Sequence, residues 1–234
     1  MPRPNNPRRP FVCYVTDRRA LTKAPQGRAS HALLQVIADA APAGVDWIQI
    51  REKDLSTKEY SWLVKEALER IVRPVESGDR RATTIIVNGH LSVALARGAG
   101  GVHLGVDHLP VAEISSAVTS HYSAHSTKPS FLVGSSCHSL QAAVAASSDG
   151  ADYISFGPVF ATPSKASYGQ PQGLAKLAEV CRAVSIPVLA IGGVTLENAA
   201  SCLETGAAGV AAIRLFQDAS DIRSVVEKLH SLAG

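Results

Sequence analysis

The sequence predicts an α/β chain folded as a single-domain (β/α)8 TIM barrel, and three observations predict it. Eight short apolar runs rich in β-branched residues alternate with longer stretches of helical period until the chain ends. The runs are apolar at nearly every position, the pattern of parallel strands covered on both faces by crossover helices. The repeat averages about 29 residues, near the size of one βα unit, and barrels of this kind use roughly 200 to 250 residues as one domain.

Taken in order, the first ten residues, MPRPNNPRRP, read as a flexible arm (1–10) with Arg3, Arg8 and Arg9 in solvent, ahead of a barrel domain over 11–234. The arm has the charge of a signal n-region, but the apolar run that follows, Phe11 to Val15, is too short for an h-region and turns charged at Asp17. Strands are expected at Phe11–Asp17, Asp46–Glu52, Thr83–Asn88, Gly101–Gly105, Phe131–Cys137, Asp152–Phe160, Ile186–Val194 and Gly209–Phe216. Ser30–Ala41, Ser56–Val72, Leu174–Val184, Leu196–Glu204 and Ile222–Leu232 space their apolar residues by three and four and read as helices. The segments A-G-V-D-W, A-G-G-V-H, D-G-A-D-Y and T-G-A-A-G-V each place a helix-ending glycine just before an even-numbered strand. The polar stretches Pro74–Arg81 and His121–Ser130 read as long surface loops.

Composition narrows the function. The 23 Lys and Arg against 20 Asp and Glu leave a net charge of +3 with no basic stripe, which argues against nucleic acid and leaves small anions as ligands. No run approaches the ~18 apolar residues of a membrane span. Cys13, Cys137, Cys181 and Cys202 are far apart and form no C-x-x-C pair, so they read as reduced thiols of a cytoplasmic protein. No His/Cys/Asp/Glu set has zinc spacing, and the metal expectation is none. Oligomeric state is left open, a homo-oligomer included.

In such a barrel the chemistry belongs at the C-terminal strand ends, and these are polar. Alternation along strand two puts Gln49, Arg51 and Lys53 on one side, where two cations and an amide converge on a phosphate, pyrophosphate or carboxylate. The competing reading is a solvated ion-pair patch with Glu52 and Asp54. Asn88 ends strand three, and Thr162, Ser164 and Lys165 form a hydroxyl-rich cationic loop after strand six, readable also as a polar turn. Gly192 and Gly193 after strand seven, with Ile213 and Arg214 after strand eight, occupy the usual phosphate position of these barrels, although a Gly-Gly pair also suits a plain tight turn. His138, just past strand five, is the acid/base candidate, with helix capping as the alternative. His103, inside an apolar run, reads as a satisfied interior residue.

The ordered motifs Q-I-R-E-K, I-V-N, G-V-H-L-G, G-x-S-x-H-S, G-P-V-F-x-T-P-S-K and A-I-G-G-V, from about Phe11 to Phe216, resemble the thiamine-phosphate synthase/TenI superfamily. The resemblance implies a small phosphorylated thiazole substrate. In the synthase branch a pyrimidine diphosphate is coupled to a thiazole phosphate. There Gln49, Arg51, Lys53, Asn88, Thr162, Ser164 and Lys165 would bind pyrophosphate and pyrimidine, and backbone near Gly192, Gly193, Ile213 and Arg214 the thiazole phosphate. Two departures stand out. Synthases carry Asn-Asp after strand three, here Asn88-Gly89, and Gly-Gln-x-Asp after strand four, here Gly105-Val106-Asp107-His108. Those aspartates are the implied Mg²⁺ ligands, and Asp107, one residue out of register, is a partial replacement. Asn-Gly, Cys137-His138-Ser139 and the Tyr168-Gly169-x-x-x-Gly173 segment look more like the TenI branch. The expectation is therefore a cofactor-free thiazole tautomerase with His138 as proton shuttle, ahead of a Mg²⁺-dependent synthase and of a non-catalytic binder. His138 itself occurs in both branches.

Overall fold

The computed structural model describes residues 9–21, 27–71, 82–105, 108–123, 131–162 and 170–232. Eight parallel strands pair in chain order: β1 Phe11–Val15, β2 Trp47–Ile50, β3 Thr84–Asn88, β4 Gly101–Leu104, β5 Leu132–Cys137, β6 Tyr153–Phe156, β7 Val188–Ile191 and β8 Gly209–Ala212. Val12 pairs with Val210 and Cys13 with Ala211, so β8 returns to β1 and the sheet closes without an edge. The helices are α1 Ala29–Ala43, α2 Thr57–Ile71, α3 Leu91–Arg97, α4 Val111–Ser123, α5 Leu140–Ser148, α6 Gly173–Ala183, α7 Ala199–Glu204, α8 Arg214–Gln217 and α9 Ile222–His230.

Each strand lies inside its predicted run but is shorter, because the polar run ends turn away as soon as ladder pairing stops. The largest difference is after β8, where Arg214–Gln217 wind into a helix instead of extending the strand. His121 to Ser123, expected in a loop, finish α4, and 124–130 and 72–81 lie outside the described residues. Gly44, Gly150 and Gly206 take the left-handed conformation expected of them, but before β4 the capping glycine is Gly98, ahead of the A-G-G-V-H segment. Gly100 and Gly101 instead pack closely, against Thr84 and the Leu132 carbonyl.

Strand alternation divides the core in two. Outward residues such as Val12, Ile48, Val87, Val133 and Ile154 meet Leu33, Ile37, Leu63 and Val226 of the helices. Inward residues Cys13, Val15, Trp47, Ile86, Tyr153, Leu189 and Ala211 fill the bore. Its centre is aromatic: the Trp47 ring lies 4.6 Å from that of Tyr153, on opposite strands of the ring. Gly134 makes room, since a Cβ there would stand 2.1 Å from Tyr153 Cζ. All four cysteines are free thiols, and burial pushes that of Cys13 up to about 12.

The N-terminal end is sealed by side chains that bridge strands. Buried Asp46, just before β2, accepts from the Val12 N–H at 3.0 Å and from Arg9 Nη2 at 2.7 Å, with His230 Nε2 at 3.4 Å. Arg9 is thus not the solvated arm residue expected; burial of Asp46 demands a counter-charge, and Arg9 supplies it. Residues 1–8 of that arm lie outside the described residues. Asp152 likewise accepts from the Val133 N–H at 2.7 Å.

Candidate functional site

At the C-terminal end the inward positions turn from apolar to polar. Trp47 faces the bore, so Gln49 shares that face, and its side chain, 4% exposed, hydrogen-bonds Tyr153. Tyr153 Oη in turn lies 3.0 Å from His103 Nδ1, while His103 Nε2 meets Ser136 Oγ at 2.8 Å and Ser155 Oγ at 3.2 Å. Four strands, β2, β4, β5 and β6, are tied by this one network beneath the mouth. His103 is therefore a satisfied interior residue, as its apolar run suggests. A buried network with its members paired holds its side chains in fixed positions, which suits the floor of a binding pocket.

Above the floor, Thr16 follows β1 and Glu52 follows β2. Thr16 Oγ1 donates to Glu52 Oε1 at 2.6 Å and accepts the Arg51 N–H at 2.9 Å. Arg18 adds its own N–H to Glu52 at 3.0 Å, reaches Glu52 again with Nη1 at 3.2 Å, and grips Asp54 with both Nη1 and Nη2, at 2.6 and 2.9 Å. Burial pushes the Glu52 carboxyl up, and Thr16 and Arg18 offset only part of that. Asp17 starts the short 3₁₀ turn that carries Arg18, its side chain accepting the Arg19 N–H. Arg18 takes both carboxylates with which the ion-pair patch of strand two was expected to form, and among the described residues neither Arg51 nor Lys53 forms an ion pair.

Asn88 is placed by Tyr60 of α2, whose hydroxyl accepts the Asn88 N–H at 3.1 Å and donates to the Ile50 carbonyl at 2.5 Å. Gly89 follows with φ +77°, and a Cβ there would lie 2.2 Å from His108 Nε2. The Gly105 N–H donates to His108 Nδ1 at 2.9 Å and fixes the ring. On the next arc, His138 Nδ1 donates to the Gly157 carbonyl just past β6, so in the neutral ring Nε2 carries the lone pair. Helix capping belongs to its neighbour, Ser139, which accepts the Ala142 N–H. Thr162 is half-buried, whereas Ser164, Lys165, Tyr168, Gly169 and Asp107 lie outside the described residues.

Across the mouth, Gly192 and Gly193 have φ of +94° and +67°, and a Cβ on either would run into Pro158 or Phe160 and Ala161. Close approach of the chain after β6, with Phe160 N–H bonded to the Gly192 carbonyl at 2.9 Å, thus requires both glycines before any ligand is considered. Ile213 precedes α8 and Arg214, its first residue, is exposed. Of the predicted residues that are described, Gln49, Arg51, Lys53 and Asn88 belong to the ends of β2 and β3 or the turns after them, His138 and Thr162 follow β5 and β6, and Gly192, Gly193, Ile213 and Arg214 follow β7 and β8. Thr16, Arg18, Tyr60 and Tyr153 position them and were not singled out by sequence. The polar Thr-Asp pair that ends strand one was the available signal.

A Mg²⁺ ion takes hard oxygen ligands, mostly carboxylates and substrate oxygens. Here the two positions in question are Gly89 and His108, Glu52 is committed to Thr16 and Arg18, and no group of three or more His, Cys, Asp or Glu able to hold a metal occurs among the described residues. The described residues do not fit that ion. No described helix is long and apolar enough to cross a membrane.

A family model described as thiamine monophosphate synthase matches residues 14–216. A putative thiamine-phosphate synthase of Geobacter sulfurreducens is 40% identical over 181 residues, 77% of this chain and 78% of that one. The thiamine-phosphate synthase of Methanoculleus marisnigri is 40% identical over 190 residues, 81% and 82% of the two chains. Among solved structures, a thiamine phosphate pyrophosphorylase from Pyrococcus furiosus superposes with a TM-score of 0.75 at 30% identity, covering 97% of this chain and 96% of its own.

Proposed function

The chain belongs to the thiamine-phosphate synthase/TenI superfamily, and from that premise we propose that it couples a pyrimidine diphosphate to a thiazole phosphate with release of pyrophosphate. This reading, second on the sequence alone, moves first because the relatives named above are synthases. The observation that carries it is the pair Arg51 and Lys53, left without carboxylate partners at the end of β2 because Arg18 takes both Glu52 and Asp54. Charge that develops on a departing diphosphate is stabilised by cations already in place, and the Thr16 bond to the Arg51 N–H holds that backbone. Gln49, fixed by Tyr153, presents an amide to the pyrimidine from the floor. The turn at Gly192 and Gly193 with the start of α8 takes the thiazole phosphate on the far arc, and Thr162 is the one described residue of the hydroxyl-rich loop that this reading assigns, with Ser164 and Lys165, to the diphosphate. Incubation of the purified chain with both substrates, with thiamine phosphate and pyrophosphate measured, tests the proposal; neither product, with or without Mg²⁺, rejects it.

One observation favours the second reading, thiazole tautomerisation: carboxylates are absent from both implied metal positions, and proton transfer needs none. His138, with its proton on Nδ1 and its lone pair on Nε2, is the base in that case. Consumption of a carboxythiazole phosphate in EDTA, lost in His138→Ala, is the outcome that would place this reading first.

A further inference from the structure

The missing carboxylates are not simply missing. His108 Nε2 stands 2.2 Å from the point where any side chain at residue 89 would begin, so a carboxylate at 89 would require the imidazole to leave the position it holds here. The ring is seated as well as accommodated. Its Nδ1 accepts the Gly105 N–H at 2.9 Å, which leaves the ring proton on Nε2, and a Cβ at Gly105 would approach Nδ1 to 3.1 Å. The Nε2 edge thus packs beside Gly89, the residue that follows Asn88 at the end of β3, and β3 is the neighbour of β2, whose end leads into Arg51 and Lys53. Among the described residues the carboxylates nearest in sequence to that strip, Glu52 and Asp54, are both taken by Arg18. A divalent cation placed here would face donors and positive charge; an oxyanion would be met by both.

We infer that His108 is an anion-binding residue that occupies the volume of the family's metal site, so that the diphosphate group is gripped by His108, Asn88, Arg51 and Lys53 without a divalent ion. The ligand class is an inorganic or organic diphosphate, and the inference rests on the coupling reading for its place in a reaction but not for its binding. The full chain, stripped with EDTA, is titrated calorimetrically with inorganic pyrophosphate, with and without Mg²⁺. Wild type is expected to bind equally well in both. His108→Ala should weaken binding about tenfold, the loss of one hydrogen bond to a charged group, at an unchanged melting temperature. His108→Gln, which keeps an N–H donor, should recover part of it and serves as the probe if the alanine variant melts early. Gly89→Asp combined with His108→Asp should lose binding in EDTA and regain it with Mg²⁺. Binding by wild type only when Mg²⁺ is present, or His108→Ala binding like wild type, overturns the inference. Metal-free pyrophosphate binding without any thiamine phosphate formed would keep it and remove the coupling reading. Mg²⁺-dependent product with His108→Ala indistinguishable from wild type would do the reverse.

Discussion

Asp46, just before β2, and Glu52, just after it, are both buried carboxylates that reach back to β1, yet they leave opposite surroundings. Asp46 gathers a backbone N–H, Arg9 and His230, all groups at the N-terminal end of the barrel. Glu52 gathers Thr16 and Arg18, and by occupying Arg18 it leaves the cations on its own strand without partners. One end uses a carboxylate to consume positive charge; the other uses one to withhold a partner from Arg51 and Lys53. Which arginine each buried acid takes thus decides where cations are left without a carboxylate among the described residues.

The contrast predicts stability effects at one end and binding effects at the other. Asp46→Ala strands a buried N–H and the Arg9 guanidinium, and should lower unfolding free energy by about 3–5 kcal/mol in a denaturant titration while leaving substrate KM unchanged; a KM change larger than the stability change would break the comparison. Arg51→Ala should do the opposite, lowering kcat/KM about 100-fold, or about 2.7 kcal/mol, with a melting temperature near wild type. Glu52→Gln lies between, with about 1–2 kcal/mol of stability lost and a lowered KM for the diphosphate, as the Arg18 charge is no longer offset by Glu52.

Acid should separate the two ends further. Burial alone would push the Asp46 carboxyl up, but His230, the Val12 N–H and Arg9 outweigh it and hold it below its ordinary 3.8. Its contribution is intact above that value and is lost as pH falls through the lower folded one. Glu52 has the other sign: its folded value lies above 4.5, so ionising it costs stability as pH rises through that window, and acid removes the cost. Asp46→Asn should therefore flatten the acid limb of a stability–pH curve, and Glu52→Gln should not. The smallest expected effect is Tyr153→Phe, about 1 kcal/mol, seen as a modest fall in unfolding free energy with the mouth loosened through His103 and Gln49.

The barrel was legible because strand and helix periods are properties of neighbouring residues, and the parity that puts Gln49 in the bore with Trp47 is of the same kind. The α8 turn was not, since Leu215 and Phe216 continue the apolar run of strand eight across Arg214 and only the end of ladder pairing releases them. Site composition could be read from polar strand ends. Site charge could not, because it depends on Arg18 crossing to Glu52 and Asp54, a contact made by barrel closure. His108 was visible as a departure from a motif; that it fills the space beside Gly89 is a fact about two strand ends brought together.

Gly134 and Tyr153 amount to one decision written in two places. The Tyr153 ring fills the space in front of residue 134, and a methyl group on that residue would already overlap it. Anyone recombining this barrel with another must therefore keep β5 and β6 in the same block. A crossover between them that brings in a β5 with any side chain at 134 jams the pore, and one that brings in a smaller residue at 153 empties it.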